Sequence, residues 1–248
     1  MKPLIEIRNL HKSYGELKVF EGVNIKIFPG EFVSFLGPSG CGKTTLLKII
    51  GGLIEPTEGE VFVKEQSVKY ALKNHEFGFV FQSPVLFPWR NSIQNIELPL
   101  EIIGKQKKST ARELLRIVGL EGFEKSYPNE LSGGMQQRIG IARALAFEPS
   151  VLLMDEPFGS LDEITRGEMN AELLQIWNEE KEKISAIILV THSIEEAVFL
   201  SDRVIVFSSR PARIMQDIEI DFPEPRKIEI KNSQRFMQIS ERVRKSLK

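Results

Sequence analysis

Short apolar runs dominate the first eighty residues, and they alternate with polar positions in the way that predicts β-strands. Glycine and proline separate the runs, as they commonly do at strand ends. The runs occupy residues 4–10, 23–27, 32–36, 61–63 and 77–81. We therefore predict a β-rich first part that includes an antiparallel portion near the N-terminus.

The spacing of apolar residues becomes helical after about residue 84. Segments 92–103 and 110–118 carry apolar side chains at the spacing of one helix face. Gly119 follows the second segment at the position expected for a helix C-cap. A third segment, 135–147, ends shortly before Pro149. These segments predict a helical region between two β-rich parts of the chain.

Strand and helix patterns alternate from residue 151 onward. Apolar runs at 151–154, 186–190 and 203–207 are separated by helical segments at 164–182 and 194–200. Buried strands that alternate with helices predict a parallel sheet covered on both faces. The tail carries an apolar stripe at helical spacing, which we expect to pack on the core, at Phe236, Ile239, Val243 and Leu247.

The predicted fold class is therefore α/β, with a mostly parallel sheet, an antiparallel β portion near the N-terminus and an inserted α-helical subdomain. We expect four parts along the chain. Residues 1–84 form the first part of the core and 85–150 form the helical subdomain. Residues 151–222 form the second part of the core, and 223–248 form a C-terminal tail.

Composition narrows the range of functions without selecting one. Of the 248 residues, 42% are apolar and 27% are charged, which is ordinary for a soluble globular protein. Thirty-three basic residues nearly balance thirty-four acidic ones, so bulk charge does not indicate nucleic-acid binding. No N-terminal signal pattern is visible, and no apolar run approaches the roughly 20 residues of a membrane helix. We expect any work at a membrane to be done from outside the bilayer.

A glycine-rich stretch after the run 32–36 matches the phosphate-binding pattern G-x-x-x-x-G-K-[ST]. Glycines let the backbone turn tightly, so that successive N–H groups point at phosphate oxygens. We expect Lys43 to reach the β- and γ-phosphates of ATP and the Thr44 hydroxyl to bind Mg²⁺. The same surroundings favour a thiolate at Cys41, so we expect its thiol to react with alkylators unless ATP protects it. The predicted ATP-binding residues of this loop are Gly37, Pro38, Ser39, Gly40, Cys41, Gly42, Lys43, Thr44 and Thr45.

Two adjacent carboxylates follow the apolar run 151–154. Ligands of open α/β sheets bind at the carboxyl ends of the strands, so this position suits a catalytic site. Adjacent residues of a strand point in opposite directions, which predicts different tasks for Asp155 and Glu156. We expect Asp155 to hold Mg²⁺ and Glu156 to polarise the attacking water as a general base.

A second anion-binding motif, LSGG, occupies residues 131–134, but it lacks a loop lysine and a preceding buried strand. Four motifs follow one another along the chain: the phosphate-binding loop, LSGG, the two carboxylates and Ser160-Leu161-Asp162. This ordered set resembles the ATP-binding subunits of ABC transporters, and the resemblance extends to about residue 220. It implies a P-loop NTPase core of the RecA-like kind and an ATPase that uses Mg²⁺ with ATP as substrate.

The resemblance also implies roles that the residues alone do not reveal. Gln82 would join Thr44 and Asp155 at the metal and sense the attacking water. His192, which follows the run 186–190, would contact the γ-phosphate as a catalytic residue. Tyr14 would stack on adenine; the less favoured alternative is a half-buried tyrosine at a strand end.

In the family that the chain resembles, two subunits pack head to tail, and each signature motif covers the ATP of the other. Ser132, Gly133 and Gly134 would then contact ATP across the interface of two copies of this chain, with a helix dipole behind them. Asp162, just beyond the second carboxylate, would join the same interface.

Two classes of function fit an ATPase of this kind. The favoured one is the energising subunit of a membrane importer, bound to permease subunits at the cytoplasmic face of the inner membrane and indirectly to a solute-binding protein. The alternative is a soluble mechanoenzyme that acts on nucleic acid or the ribosome, which the charge balance disfavours. The Pro-Trp-Arg sequence at 88–90 and the segment 208–214 resemble the nitrate, sulfonate and taurine group of importer ATPases. This resemblance implies a small anion or an organosulfur or nitrogen solute.

Overall fold

Two β-sheets organise the protein, in a computed structural model that describes residues 1–104, 108–181 and 183–247. The strands of these ranges are β1 (Ile5–Tyr14), β2 (Leu17–Ile27), β3 (Glu31–Leu36), β4 (Glu58–Val63), β5 (Gln66–Ser67), β6 (Phe77–Val80), β7 (Val151–Asp155), β8 (Ala186–Val190), β9 (Arg203–Phe207) and β10 (Ile214–Glu219). The smaller sheet has the order β2-β1-β4-β5 and is antiparallel. It is the antiparallel portion predicted near the N-terminus.

The larger sheet has the order β10-β9-β3-β8-β7-β6. Its neighbours from β9 to β6 pair in parallel, and β10 pairs with β9 antiparallel at one edge. The prediction of a mostly parallel sheet is therefore confirmed. Parallel neighbours need long crossover connections, and the helices of the chain supply them.

Helices cover the larger sheet and also form an insert within it. They are α1 (Lys43–Ile50), α2 (Val68–Lys73), α3 (Ser92–Ile102), α4 (Lys108–Ile117), α5 (Gly133–Leu145), α6 (Glu163–Glu180), α7 (Ile194–Leu200) and α8 (Gln234–Ser246). In the sequence, helices α3, α4 and α5 come between β6 and β7. These two strands pair directly in the sheet. The three helices lie where the segments 92–103, 110–118 and 135–147 predict them. None of the helices described here combines the length and apolar character needed to cross a membrane.

The boundaries of the elements follow local signals closely. Helix α3 begins after Asn91, whose side chain accepts the Gln94 N–H while the Gln94 side chain accepts the Asn91 N–H, forming a capping box. Gly119 has φ of +66°, as expected of the glycine that ends α4. The predicted helix 164–182 corresponds to α6, and its predicted last residue, Glu182, lies outside the described residues. The last residue of the predicted tail, Lys248, also lies outside them.

Apolar side chains of the larger sheet point alternately into two cores. Within β7, Leu152 and Met154 belong to a cluster that includes residues of α5, α6 and α7. Val151 and Leu153 belong to a second cluster, with residues of α1 and the smaller sheet. Because both faces are covered, residues 151–154 of β7 and all of β8 are apolar and buried, which explains their continuous apolar runs.

The C-terminal helix α8 packs on the first of these cores. Phe236 and Val243 are buried, and Ile239 and Leu247 pack against the cluster at its edge. The apolar stripe predicted for the tail is confirmed as a packing surface.

Candidate functional site

Four strands of the larger sheet end side by side at one edge. The strands β3, β8, β7 and β6 are parallel neighbours, so their carboxyl ends lie together. The predicted site residues Gly37, His192, Glu156 and Gln82 follow these four strands within two residues. The fold therefore brings together positions that are up to 155 residues apart in the sequence (192 − 37).

Two glycines of the phosphate-binding loop, Gly37 and Gly42, leave no room for a Cβ atom. A Cβ built on Gly42 would lie 2.5 Å from Cγ1 of Val19, and Gly42 has φ of +124°. A Cβ on Gly37 would lie 2.8 Å from the carbonyl oxygen of Phe207. The loop is thus held between β2 and the end of β9, and a larger residue at either glycine would displace it.

Lys43 begins helix α1 and points its ammonium into the loop. Nζ donates to the carbonyl of Gly37 at 2.7 Å and to that of Pro38 at 3.2 Å, and the residue is buried. Backbone N–H groups at a helix N-terminus and an ammonium beside them together favour an anion. The loop has the composition and the position of a phosphate cradle.

The side chain of Cys41 is less accessible than the sequence predicts. Its side chain is 2% exposed and belongs to the apolar core rather than to the loop surface. Its backbone N–H donates to the carbonyl of Pro38 at 3.2 Å. The expectation of an accessible, reactive thiol is therefore wrong, because the side chain fills the space between the loop and the sheet.

Thr44 and Asp155 lie in direct contact. The Thr44 hydroxyl donates to Oδ1 of Asp155 at 2.8 Å. Burial is the main cause that raises the pKa of Asp155, and the charge of Glu156 raises it further, while the Thr44 hydrogen bond opposes both. A hydroxyl and a carboxylate are oxygen ligands that suit Mg²⁺, which typically takes one or two carboxylates together with substrate phosphates. The pair therefore fits Mg²⁺.

A magnesium ion at this place would need those substrate oxygens. Over the described residues, no group of three or more His, Cys, Asp or Glu side chains is arranged to hold a metal ion. The Thr44–Asp155 pair thus offers a partial coordination shell, as expected for a metal that arrives with a nucleotide.

Glu156 and His192 form a second contact at the same edge. Oε2 of Glu156 lies 3.1 Å from Nδ1 of His192. The backbone of Glu156 has φ of +45°, which is uncommon for any residue but glycine, and its N–H donates to the carbonyl of Val190 at 2.8 Å. Such conformations persist where the surrounding structure imposes them, often at functional sites. Gln82 is close by, since a Cβ on Gly159 would lie 3.5 Å from both Gln82 Nε2 and Glu156 Oε2.

A cavity of about 230 Å³ lies beside the loop. The smaller sheet supplies one wall, with Tyr14, Leu17 and Val19. The remaining lining residues are Ser39, Gly40, Gly42, Lys43, Thr44, Thr45, Glu156 and Arg210. Tyr14 is 49% exposed, and the ammonium of Lys12 lies 4.6 Å from the centre of its ring. An exposed aromatic ring beside a phosphate cradle can stack on the base of a nucleotide.

The signature motif begins helix α5. The Ser132 hydroxyl accepts the backbone N–H of Met135 at 3.2 Å as the N-cap, and Gly133 and Gly134 form the first turn. The first N–H groups of a helix have no partner inside the helix, so this turn can bind an anion. A Cβ on Gly134 would lie 3.2 Å from Cγ2 of Thr165, so the motif packs closely on α6.

The signature motif and the cavity are separate within one chain. Neither residues 131–134 nor Asp162 are among the residues that line the cavity. Asp162 caps helix α6, where its carboxylate accepts the backbone N–H groups of Ile164 and Thr165. Hydrogen bonds from the backbone and hydroxyl of Thr165 lower the pKa of Asp162. Its carboxylate therefore stabilises the turn that carries it.

Two further residues of this region were not found by sequence reasoning. Arg210 lines the cavity, but an arginine between a serine and a proline gives no local signal of its place. Glu196 is buried in the first turn of α7, where it accepts a hydrogen bond from the Thr191 hydroxyl. Burial is the main cause that raises its pKa. The short α7 segment does not distinguish this glutamate from its exposed neighbour Glu195.

Comparison with known proteins gives matches over most of the chain. The profile of the ABC transporter family matches residues 20–159. An uncharacterized ABC transporter ATP-binding protein of Methanocaldococcus jannaschii is 46% identical over 233 residues, covering 91% of this chain and 85% of its own. The aliphatic sulfonates import ATP-binding protein SsuB of Bacillus cereus is 45% identical over 232 residues, covering 94% and 89%.

Solved structures give the same result for the fold. A dimeric structure of a bacterial ABC transporter cassette has a TM-score of 0.75 and 36% identity, covering 88% of this chain and all of its own. A dimeric post-hydrolysis ATP-binding cassette bound to ADP and Pi has the same TM-score and coverage with 35% identity. The similarity thus extends beyond the residues that the family profile matches.

Proposed function

The chain belongs to the ABC transporter family of ATP-binding cassettes, which are ATPases, and we propose that its ATP hydrolysis powers a membrane importer. The observation that carries the proposal is the meeting of a phosphate cradle, the Thr44–Asp155 pair and the Glu156–His192 pair at one sheet edge. Similarity to a sulfonate import protein supports the importer. The solute we propose is a small anion or an organosulfur or nitrogen compound.

ATP binds in the cavity beside the smaller sheet. Its phosphates lie on the loop 37–45, where backbone N–H groups, Lys43 and the N-terminus of α1 favour negative charge. Its adenine stacks on Tyr14, a contact worth about 1–3 kcal/mol in comparable base–aromatic pairs. The side chain of Cys41 is buried and is not among the residues that line this cavity.

Hydrolysis uses the two residue pairs for different tasks. Thr44, Asp155 and Gln82 would hold Mg²⁺, which would neutralise charge on the phosphate oxygens when bound with ATP. Glu156 accepts a proton as water attacks the γ-phosphorus and the bond to the bridging oxygen breaks, releasing ADP and phosphate. His192 holds the Glu156 carboxylate through the 3.1 Å contact and faces the γ-phosphate.

The complete site needs two copies of the chain. Within one chain the signature motif lies outside the cavity, and its helix N-terminus can bind an anion that another chain presents. In a head-to-tail dimer, Ser132, Gly133 and Gly134 cover the ATP of the partner, and the turn capped by Asp162 lies in the interface. ATP then joins the two copies, and hydrolysis separates them. This opening and closing would move the permease subunits bound to them.

The segment 82–90 is the surface we propose for the permease. Trp89 is 69% exposed and Val85 is 60% exposed. The loop that carries Trp89 is held from inside by the buried Asn95, whose side-chain amide donates to the carbonyls of Phe87, Arg90 and Asn91. Exposed apolar residues on a well-held loop suit a partner helix from a permease subunit.

The same segment is linked to the signature helix. Arg143 of α5 donates to the carbonyls of Pro84 and Val85 at 2.6 and 2.9 Å. Gln137 of α5 donates to the carbonyl of Phe81 at 3.1 Å. A movement of α5 during dimer closure would therefore reach the permease surface through hydrogen bonds to the backbone.

Affinity purification of the tagged chain from detergent-solubilised membranes tests the proposal. The expected product is a complex with integral membrane subunits, bound at the cytoplasmic face. Its ATPase activity should rise when a solute-binding protein and its solute are added. ATPase activity stimulated by DNA or ribosomes, without any membrane subunit, would overturn the importer and support a soluble mechanoenzyme.

A further inference from the structure

Arg210 reaches the phosphate-binding loop with its charge unpaired. A Cβ built on Gly40 would lie 3.0 Å from Nη2 of Arg210, and Arg210 lines the same cavity as Lys43 and Thr44. In the part of the chain that the structure describes, its guanidinium forms neither a hydrogen bond nor an ion pair. An exposed arginine without an acidic partner, beside an anion cradle, is placed to bind an anion there.

The loop that carries Arg210 is fixed relative to the cradle. Ala212 is fully buried, its N–H donates to the carbonyl of Val19 at 2.8 Å, and it forms a bridge with Phe20. Val19 in turn packs against Gly42 of the phosphate-binding loop. Backbone contacts therefore hold the turn of Arg210 against the strand that lines the cavity.

A second arginine in the same turn is bound differently. The guanidinium of Arg213 pairs with the carboxylate of Glu21. The backbone N–H of Arg213 donates to the Ser208 hydroxyl oxygen at 3.0 Å, so the turn itself is closed by its own residues. Of these two arginines, Arg213 has its charge neutralised by a carboxylate, and Arg210 keeps its charge at the cavity.

Lys43 and Arg210 are the two cations among the described lining residues, and they differ in exposure. Lys43 is buried and bonded to loop carbonyls, whereas Arg210 is exposed. We propose that Arg210 binds the phosphate groups of the nucleotide that lies in the cavity of the same protein chain. This inference rests on the proposed ATP site. A guanidinium can donate two parallel hydrogen bonds to phosphate oxygens, which an ammonium cannot.

Titration of the full chain and its variants with a non-hydrolysable ATP analogue, adenylyl imidodiphosphate, and with inorganic tripolyphosphate tests the proposal. Arg210→Ala should raise the Kd of both probes by about tenfold, which corresponds to the loss of one charge-assisted contact. Arg210→Lys should recover part of the loss, because it restores charge without the planar fork. Arg213→Ala, the matched control, should leave both Kd values within about twofold of those of the parent chain.

Each other outcome is decisive. Equal affinities for the parent chain and Arg210→Ala would overturn the contact while leaving the ATP site standing. A loss for the ATP analogue without a loss for tripolyphosphate would place Arg210 on the base or ribose and also overturn it. Equal losses of affinity in Arg210→Ala and Arg213→Ala would show that the effect comes from net charge, and would also overturn the contact. Failure of the parent chain to bind either probe would instead contradict the proposed function, and thermal unfolding without nucleotide shows that each variant is folded.

Discussion

The carboxylate oxygen Oε2 of Glu156 lies 3.1 Å from Nδ1 of His192, although the two residues are 36 positions apart in the sequence. They follow β7 and β8, which are parallel neighbours in which Asp155 pairs with Val190. The register of the sheet therefore fixes the contact. A carboxylate held by an imidazole beside a phosphate cradle is positioned to accept the proton of an attacking water.

Replacing Glu156 by glutamine should nearly stop hydrolysis while ATP still binds. The amide keeps the shape of the side chain but cannot accept the proton, and a general base typically contributes about 10²–10⁴-fold. Turnover should be measured with Mg²⁺ and ATP, and ATP-dependent dimers should accumulate. Glu195→Gln is the matched control, since Glu195 is exposed and pairs with Lys231 on the surface. Near-normal turnover in Glu156→Gln would remove this residue from the chemistry.

Asp155→Asn should make the enzyme respond poorly to Mg²⁺. The amide can still accept the Thr44 hydrogen bond, so the local structure remains, but the negative charge that attracts the cation is lost. We expect the Mg²⁺ concentration for half-maximal activity to rise about tenfold or more, measured by titrating Mg²⁺ at fixed ATP. Asp221→Asn serves as the control, because Asp221 lies on the surface, paired with Arg235. An unchanged Mg²⁺ titration in Asp155→Asn would place the metal elsewhere.

The buried carboxyl of Glu196 should make stability depend on pH. Burial is the main cause that raises its pKa, with Glu156 also raising it, while Thr191, Arg166 and His192 act in the opposite direction. The folded chain then keeps this proton at pH values where the unfolded chain has released it. Stability from this group is complete below the unfolded glutamate value of about 4.3 and is lost as pH rises through the raised pKa.

Chemical denaturation of the parent chain and Glu196→Gln at a series of pH values measures this loss. The free energy of unfolding of the parent should fall relative to that of Glu196→Gln as pH rises across that window. Glu195→Gln should follow the parent, because its carboxylate is exposed. Parallel pH profiles for all three proteins would show that Glu196 ionises alike in the folded and unfolded chain.

Trp89→Ala should separate the permease contact from ATP hydrolysis. The side chain is exposed, and its ring centre lies 5.1 Å from that of Phe87, so we expect a loss of stability of about 1 kcal/mol or less. ATPase activity of the isolated chain should change less than twofold, while recovery of membrane subunits on purification should fall strongly. Tyr70→Ala, an exposed aromatic residue on α2, should keep that recovery. Equal recovery for both variants would move the permease surface away from segment 82–90.

The sequence predicts the fold well because most of its signals are local. The glycine-rich loop, the apolar runs and the caps each specify structure within a few residues, as at Asn91 and Gly119. The meeting of Gly37, Glu156 and His192 at one edge follows from the rule that parallel strands share their carboxyl ends. These features can be predicted without knowing which side chains from distant segments are in contact.

Features that depend on packing between distant segments are not readable in this way. The burial of Cys41 depends on the space between the loop and the sheet, so its local anion-binding surroundings were misleading. The position of Arg210 depends on the bridge between Ala212 and Phe20, two residues from opposite ends of the chain. Similarly, the burial of Glu196 rather than Glu195 depends on the orientation of a seven-residue helix.

The central claim is that each ATP lies between the loop of one copy and the signature motif of another. Lys43→Ala and Ser132→Arg should each inactivate both sites of their own homodimers. In a mixed dimer, one site combines an intact Lys43 with an intact Ser132, and the other carries both changes. ATP hydrolysis measured on an equal mixture should therefore recover, to about a quarter of the parent rate if chains pair at random and sites act independently. A mixture that never exceeds the sum of its two inactive components, at any ratio, would contradict the shared site.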